Sequence, residues 1–279
     1  MIFIILNIYQ TLILTEEEIN FFHKNGYLKI KNVLDKKQIE LLGKTILLLC
    51  KKYAKHDFDD ISSKKCFDDK KFHNAIIKLK EKNPRVFGAI YDSLQCSVAL
   101  QSLLINDKML KIISTLSGEP TENHSLFHSL IRMDVPKDSR NKLSWHQDFV
   151  SSEKIMDHPN GIVAWIPLVN VNYENGAIEI CPKSHTDSNA KNMIVKKRND
   201  DKNTSEYLDV PKSIVDKYPS MVIKAEVCDI VIMSMTILHQ SGINASNLIR
   251  FTALGRYYPM NVEDFLPGRR VYIPSDIKI

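Results

Sequence analysis

The sequence predicts a mainly β protein, an antiparallel barrel or jelly roll with helices before it. Beyond Pro120 the chain consists of short runs rich in β-branched and aromatic residues, separated by turn residues. Before Pro120, apolar residues recur at helical spacing between helix-capping signals. We therefore expect a single domain over 1–279, with a mainly helical part at 1–120, a β core at 121–260 and a C-terminal tail at 261–279.

The composition is typical of a globular protein with a sizeable core, because 44% of the 279 residues are hydrophobic and 25% are charged. The net charge of +5 is spread along the chain, so no nucleic-acid groove is expected. The five cysteines are widely spaced and odd in number, which favours reduced thiols and a cytoplasmic location. Residues 1–14 are apolar but too short to span a bilayer and lack a basic signal-peptide start. They are expected to form a packed strand or an upstream extension of the true start, with no membrane contact.

The helical part has recognisable boundaries. Thr15 and Glu18 form a capping box, and Gly26 ends the helix that follows. Residues 27–33 then alternate as a strand. Further helices are expected to begin at Asp35, at Pro84 and at about Asn106, the last of them ending at Gly118. The charged, irregular stretch 55–72 is expected to be an exposed loop.

The β part contains a series of short apolar runs. The expected strands are Leu126–Val135, Gly161–Val171, Ala177–Cys181, Met221–Val227, Ile230–Met233 and Leu248–Tyr258. A polar segment rich in Lys, Asn and Asp lies between them, from about Lys183 to Tyr218. Loops of that length in a compact domain are usually functional or disordered, so residues 183–218 are a candidate lid.

The residues that carry chemistry begin with Trp145-His146-Gln147-Asp148. Alternation along an extended segment places His146 and Asp148 on the same face. An imidazole and a carboxylate are two-thirds of the facial triad that binds non-haem Fe(II) and leaves positions open for other ligands. A second histidine from a distant strand, His239, completes the set.

A cation accompanies the second histidine. Turn residues after His239 can return the chain and bring Arg250 back beside the His239 strand. Arginine is suited to bidentate capture of a carboxylate, as a co-substrate would require. Ser241 lies two residues from His239, and therefore on the same side if the segment is extended.

Together these motifs resemble the phytanoyl-CoA dioxygenase family of Fe(II)/2-oxoglutarate-dependent oxygenases. The segments that carry the resemblance are TEEEINFFHKNGYLKIKNVL from Thr15, WHQD, NGAIEICPKSH from Asn175, and CDIVIMSMTILHQSGINASNLIR from Cys228. They cover roughly residues 15–258 in the family's order. The chain departs from the family where it has Cys228 and Lys183, since members often carry glycine at both positions.

The resemblance implies a fold and a site. The core would be a double-stranded β-helix, a cupin-like jelly roll, flanked by N-terminal helices. His146, Asp148 and His239 would bind Fe(II) and act in catalysis. Ser241 and Arg250 would bind the distal carboxylate of 2-oxoglutarate, whose pocket is lined by a tryptophan near Trp165 in some members.

The resemblance also implies the reaction. With O2 and 2-oxoglutarate, such an enzyme hydroxylates an unactivated C–H bond of a small molecule and releases succinate and CO2. Halogenating relatives lack the carboxylate that Asp148 supplies, so its presence favours hydroxylation. The identity of the substrate cannot be read from the sequence.

Other interpretations of these residues remain open. Trp165 is suited to a plain core position, and Arg132 either holds an anionic substrate group or forms a structural ion pair with Asp134. The whole chain is also compatible with a cupin-like metalloenzyme that does not use 2-oxoglutarate, or with a non-catalytic relative that binds or senses a ligand.

Overall fold

The structure is a computed structural model. It describes residues 13–138, 143–148, 151–152, 155–156, 161–186, 196–197 and 208–261. The helices are α1 (Glu16–Asn25), α2 (Lys36–Phe58), α3 (Lys70–Lys82), α4 (Pro84–Gln95), α5 (Val98–Leu104), α6 (Asp107–Ser117) and α7 (Lys212–Val215). The strands are β1 (Tyr27–Ile30), β2 (His124–Asp134), β3 (Ser151–Ser152), β4 (Ile155–Met156), β5 (Ile162–Pro167), β6 (Ile178–Ile180), β7 (Lys196–Lys197), β8 (Leu208–Asp209), β9 (Met221–Val222), β10 (Ile230–Ser234), β11 (His239–Ser241) and β12 (Arg250–Pro259). Within this part of the chain, no helix has the length and apolar character needed to cross a membrane.

The first helix begins and ends as predicted. The backbone N–H of Glu18 donates to Thr15 Oγ1 at 3.2 Å, and the Thr15 N–H donates to the Glu18 carboxylate at 2.8 Å. Gly26 follows α1 in the left-handed conformation, with φ of 79°, which glycine adopts without steric cost. The chain then enters β1 at once, so α1 is tied to the edge of the main sheet.

The prediction of an exposed loop at 55–72 is wrong. The helix α2 continues into this stretch and α3 begins within it, after Asp69 caps its first turn. Phe58 and Phe72 are 0% exposed and Cys66 is 4% exposed, so the stretch contributes to the core. Its apolar residues are few and lie among Lys, Asp and Ser, and for that reason no helical period is visible in the sequence.

The helix predicted from Pro84 is in fact two helices. Ser97 interrupts it, because the Ser97 hydroxyl accepts the Leu100 N–H at 3.2 Å and starts α5. The predicted helix that ends at Gly118 is confirmed as α6, with Gly118 at φ of 74°.

Two antiparallel sheets form the main body of the β part, and the pairs β3–β4 and β7–β8 are separate two-stranded sheets. The larger sheet has the strand order β1-β10-β5-β12-β2, and the smaller has the order β11-β6-β9. Every neighbouring pair in both sheets is antiparallel. Across the described strands, the two sheets are not joined into one closed ladder. This is the layered antiparallel fold that the sequence predicts.

The larger sheet is buried on both faces, with alternate residues pointing to different cores. Along β5, Ala164 and Ile166 pack into the cluster that contains the helices, and Val163 and Trp165 pack into the cluster shared with the smaller sheet. Along β12 the same alternation sends Leu254 to the inner cluster. We call the side of the larger sheet that faces the smaller sheet the inner face. The candidate site lies on it.

The two departures from the family pattern both lie at left-handed backbone positions. Lys183 has φ of 69° and Cys228 has φ of 76°, values that favour glycine. Each residue costs roughly 1 kcal/mol in that conformation. The carbonyl of Cys228 accepts the N–H groups of Val33 and Leu34, at 2.9 and 3.1 Å, which helps to hold this turn. The turn geometry therefore persists without glycine.

Only the ends of the candidate lid at 183–218 are among the described residues, together with the short pair β7 and β8. Val210 and Val215 are buried against Cys181 and Leu238, so the returning end of the segment is packed. The remainder lies outside the described residues, as do residues 1–12 and the tail from 262. The lid therefore stays a prediction.

Candidate metal centre

His146 and His239 lie side by side through a backbone bridge. The N–H of each residue donates to the carbonyl of the other, at 2.9 and 3.0 Å. Directly opposed residues of an antiparallel pair project to the same side, so the two imidazoles meet with ring centroids 4.2 Å apart. Two residues far apart in the sequence thus present their side chains together.

Local hydrogen bonds determine which nitrogen of each ring is available. Nδ1 of His146 lies 2.7 Å from the carbonyl oxygen of Ser144, and Nδ1 of His239 lies 3.0 Å from that of Ile237. A carbonyl accepts only, so each Nδ1 carries the proton and each Nε2 presents a lone pair. This is how metal-binding histidines are commonly oriented.

Asp148 completes the cluster. Its Oδ2 lies 3.6 Å from His239 Nε2 and has no hydrogen-bond partner among the described residues, although the side chain is buried. Its Oδ1 accepts from Arg256 Nη2 at 2.5 Å. One ligand atom from each of His146, Asp148 and His239 lies within 4.8 Å of the others. A single cation can contact all three.

The surroundings set the protonation states of this cluster. Burial lowers the pKa of His146 to about 3, with a further contribution from His239. Burial alone would raise the pKa of Asp148, but the Arg256 guanidinium and the two imidazoles hold it well below its usual range. At neutral pH the cluster therefore contains a carboxylate and a neutral His146, the states that metal ligands require.

The Pro-Lys-Ser-His turn supports the strand that carries His239. The buried Ser184 hydroxyl accepts the Leu238 N–H at 2.8 Å and donates to the Cys181 carbonyl at 2.7 Å. The ring of His185 lies 3.0 Å from the carbonyl of His23, at the end of α1. His185 therefore braces the turn against the first helix.

Arg250 lies at the other end of the site, and it already has a counter-charge. It is 2% exposed, and its Nε and Nη2 donate to Asp134 Oδ2 at 3.0 and 2.5 Å. Nη1 is 3.5 Å from the carbonyl of Gly242. Arg132 donates to the other oxygen of Asp134, at 3.2 and 3.1 Å, so the structural ion pair is the arrangement that the structure shows for Arg132.

The two remaining predicted site residues, Ser241 and Trp165, are both buried. Ser241 lies on the same side of β11 as His239, and the two flank an outward-facing Gln240. Trp165 is 4% exposed on the inner face, opposite Leu254 of β12 and Val231 of β10. Its apolar neighbours make it part of the inner core.

Sequence reasoning missed two polar residues of β12 that lie on the same face as Arg250. Thr252 lies on the inner face and is 1% exposed, and its hydroxyl has no hydrogen-bond partner among the described residues. Arg256 follows on the same face and contacts Asp148. The period of two along β12, counted onward from Arg250, would have indicated both.

A buried histidine from the helical part holds the start of β12. Nδ1 of His73 accepts the Ile249 N–H at 3.0 Å, and its Nε2 donates to the carbonyl of Phe67, 2.9 Å away. Its ring also packs edge-on against Phe251. The Ile249 backbone and the Phe251 ring, on either side of Arg250, thus both contact α3, and no sequence pattern indicates these contacts.

Comparison with known proteins gives one family match and many similar folds. Residues 22–252 match the model of the phytanoyl-CoA dioxygenase (PhyH) family. Comparison with curated protein sequences finds no match.

Three solved structures illustrate the structural likeness. The non-haem alpha-ketoglutarate-dependent carbocyclase SnoK from nogalamycin biosynthesis is 17% identical, with a TM-score of 0.57 over 94% of each chain. EctD from S. alaskensis, solved with 2-oxoglutarate and 5-hydroxyectoine, is 14% identical, with a TM-score of 0.58 over 90% of this chain and 78% of that one. The alpha-ketoglutarate-dependent epimerase SnoN is 15% identical, with a TM-score of 0.55 over 88% and 82%. The likeness shows the fold, a double-stranded β-helix flanked by helices, as the sequence resemblance implies.

Proposed function

Because this chain belongs to the phytanoyl-CoA dioxygenase family, we propose that it is an Fe(II)- and 2-oxoglutarate-dependent dioxygenase that hydroxylates a small molecule. The observation that carries the proposal is the cluster of His146, Asp148 and His239, whose ligand atoms lie within 4.8 Å of one another. Substrate oxidation would be coupled to release of succinate and CO2.

The donor set fits the metal. Two imidazole nitrogens and one carboxylate oxygen form the facial arrangement that non-haem Fe(II) enzymes use, and it leaves positions open. The buried Oδ2 of Asp148 has no hydrogen-bond partner among the described residues. An unpaired buried carboxylate oxygen is costly, and a cation between the three ligand atoms would satisfy it.

The surroundings of Arg250 fit a carboxylate co-substrate. Arginine has five N–H donors, and the bonds to Asp134 and Gly242 engage three of them, which leaves two without an acceptor in the described part of the chain. The buried Thr252 hydroxyl lacks a hydrogen-bond partner among the described residues and lies on the same face of β12. A carboxylate at this point would satisfy the hydroxyl and complete the donor set of Arg250. Ser241, on the His239 side, is the further candidate contact.

The protein supplies orientation and a dry environment. When bound, Fe(II) and 2-oxoglutarate together supply the oxidising chemistry with O2. His146, Asp148 and His239 hold the metal at one end, and Arg250 and Ser241 hold the distal carboxylate at the other. Holding both ends of the co-substrate fixes its orientation at the metal before the reaction begins, so less entropy is lost during it. Trp165 and Leu254, which lie side by side on the inner face of β5 and β12, provide apolar surface that excludes water.

The alternative is a cupin-like metalloenzyme that does not use 2-oxoglutarate. One observation favours it, since Asp134 already compensates the charge of Arg250. The reaction also has alternatives, because the structural neighbours include proteins described as an epimerase and a carbocyclase. Binding of 2-oxoglutarate decides the first question, and the mass of the product decides the second.

The test uses the purified protein loaded anaerobically with Fe(II). Binding of 2-oxoglutarate is followed by calorimetry, and succinate release is then measured in air across a panel of small molecules. We expect binding that depends on metal, and substrates that raise succinate release and gain one oxygen atom. The His239→Ala variant is the control and should show neither effect.

The outcomes separate the candidates. Absence of 2-oxoglutarate binding to a metal-loaded protein would exclude the proposed function and leave the cupin-like alternative. Succinate release with a product that gains no oxygen would retain the co-substrate and replace hydroxylation by another oxidation. Binding of 2-oxoglutarate without substrate-stimulated succinate release from any panel member would favour a ligand-binding relative.

A further inference from the structure

Arg256 holds one oxygen of the candidate metal ligand Asp148. Nη2 of Arg256 donates to Asp148 Oδ1 at 2.5 Å, and the two side chains are 16% and 4% exposed. Hydrogen bonds between ionised partners are short and strong, and a buried one orients both groups. The contact joins the middle of the larger sheet to the segment that carries the His-X-Asp motif.

The two oxygens of Asp148 have different surroundings. Oδ1 is engaged by Arg256, whereas Oδ2 has no hydrogen-bond partner among the described residues and lies 3.6 Å from His239 Nε2. We propose that Arg256 is a positioning residue, which holds the Asp148 carboxylate so that Oδ2 alone faces the metal. This role rests on the proposed metal site, and it assigns to Arg256 the control of how the Asp148 carboxylate is oriented there.

The consequence concerns the number of open metal positions. A carboxylate can bind a metal through one oxygen or through both. With Oδ1 retained by Arg256, Asp148 occupies a single position, and the facial triad keeps its other positions open for co-substrate and O2. Without Arg256, the carboxylate is free to turn and bring Oδ1 to the metal as well.

Arg256 is itself well placed to act as a fixed support. It lies in β12, between β2 and β5, and pairs with Phe127 on one side and Val163 on the other. The register of β2 shifts beside it, between the pairs of Leu254 and Arg256, where His128 has a positive φ of 54°. Such bulges raise the local twist and re-aim side chains near active sites.

A purely structural role predicts a different result. If Arg256 only compensates a buried charge, any cation at that position should suffice, and the coordination of the metal should not depend on it. The planar guanidinium differs from an ammonium in geometry, so Arg256→Lys keeps the charge and alters the positioning. Arg256→Gln removes the charge.

The experiment measures metal binding and metal geometry directly. Mn(II) affinity is determined by calorimetry, and the visible spectrum of the Co(II)-loaded protein reports coordination. We expect Arg256→Gln to weaken Mn(II) roughly 10- to 100-fold, the usual effect of losing a partner of a metal ligand. We expect Arg256→Lys to weaken it less, and both variants to change the Co(II) spectrum.

Arg132→Gln is the matched control. Arg132 is another arginine paired with an aspartate on the inner face, but its partner Asp134 is not a candidate ligand. This variant should keep the wild-type Mn(II) affinity and Co(II) spectrum. Thermal unfolding of all variants shows which ones are folded, and if Arg256→Gln does not fold, Arg256→Lys decides the matter.

Each result has a defined meaning. Wild-type Mn(II) affinity and an unchanged Co(II) spectrum in a folded Arg256 variant would overturn the proposal. An equal loss of affinity in Arg132→Gln, or a loss without any spectral change, would also overturn it in favour of a general charge effect. If the wild-type protein shows no Mn(II) binding that His239→Ala removes, the proposed metal site itself fails.

Discussion

The two ends of the candidate site are prepared in opposite ways. At the metal end, hydrogen bonds engage the atoms that would not contact a metal, namely Nδ1 of each histidine and Oδ1 of Asp148. At the other end, the charge of Arg250 is already compensated by Asp134. At the first end, a cation would satisfy Asp148 Oδ2, which has no hydrogen-bond partner in the described part of the chain. At the second end, a co-substrate would add to an arginine that is already paired. Substitutions should therefore have different consequences at the two ends.

The largest effects are expected in the triad. His146→Ala, Asp148→Ala or His239→Ala should abolish turnover, because each removes one of the three proposed metal ligands. The fold should remain, since the backbone bridge between residues 146 and 239 does not depend on either ring. Metal affinity, succinate release and circular dichroism of each variant provide the measurement. Near-wild-type turnover with metal still bound would remove that residue from the triad.

At the other end, Arg250→Ala should weaken 2-oxoglutarate far more than metal. Truncating one side of a buried charge pair costs roughly 2–5 kcal/mol, and part of that cost is the charge left behind on Asp134. The variant should therefore also be less stable than wild type, which the two histidine variants of the triad need not be. Calorimetric titration with 2-oxoglutarate and then with Mn(II) separates the two affinities.

Arg250→Lys controls for the charge of Asp134, which Arg132 alone would compensate in Arg250→Ala. It retains a cation beside Asp134 but lacks the guanidinium fork, so stability should recover more fully than 2-oxoglutarate affinity. An unchanged 2-oxoglutarate affinity in both variants would contradict the assignment of Arg250 and favour the alternative without that co-substrate.

The features that the sequence predicts are those set by local patterns, and the features that it misses are contacts between distant elements. The meeting of the three side chains was predictable because His146 and Asp148 stand at strand spacing and His239 follows a recognisable strand, so local period and order suffice. The antiparallel fold and the capped helix α1 were predictable for the same reason. The partners Arg256 and His73 were not, because their contacts with Asp148 and Ile249 join elements distant in sequence.

His73 tests whether the arginine end depends on the helical part. His73→Leu should lower the free energy of unfolding by roughly 1–3 kcal/mol, because it leaves the buried Ile249 N–H and Phe67 carbonyl without a partner. Weaker 2-oxoglutarate binding with unchanged metal affinity should accompany the loss. Urea unfolding measures the stability, and calorimetry measures the two affinities. An equal loss of 2-oxoglutarate affinity and metal affinity would show that the two ends of the site do not depend on different parts of the protein.

The same variant has a pH signature. Burial lowers the pKa of His73 from its ordinary value of 6.5, so protonation favours the unfolded chain. The stability contribution of the neutral ring is complete above about pH 6.5 and declines as the pH falls below that value. His73→Leu should reduce this acid-side slope in metal-free protein, and the part that remains belongs to other histidines whose pKa is lowered, such as the partly buried His146 and His185. An unaltered slope would show that His73 does not titrate in this way.

The smallest expected effect is that of substituting Thr252, for which stability and 2-oxoglutarate affinity should change in opposite directions. Thr252→Val has nearly the same shape and removes only the buried hydroxyl that lacks a hydrogen-bond partner among the described residues. Without co-substrate, losing an unsatisfied polar group should leave stability unchanged or slightly higher. With co-substrate, the lost hydrogen bond should weaken 2-oxoglutarate by about 1 kcal/mol, roughly fivefold.

Unchanged or higher stability together with weaker 2-oxoglutarate binding would indicate that the Thr252 hydroxyl contacts the co-substrate and does not serve packing. Thr252→Ser keeps the hydroxyl and loses the methyl group, so it should retain 2-oxoglutarate affinity while losing some stability. Unfolding of the ligand-free variants and calorimetric titration of the metal-loaded ones give both quantities. If Thr252→Val lost stability without co-substrate and bound 2-oxoglutarate as tightly as wild type, the hydroxyl would serve the core. The arginine end would then rely on Arg250 and Ser241 alone.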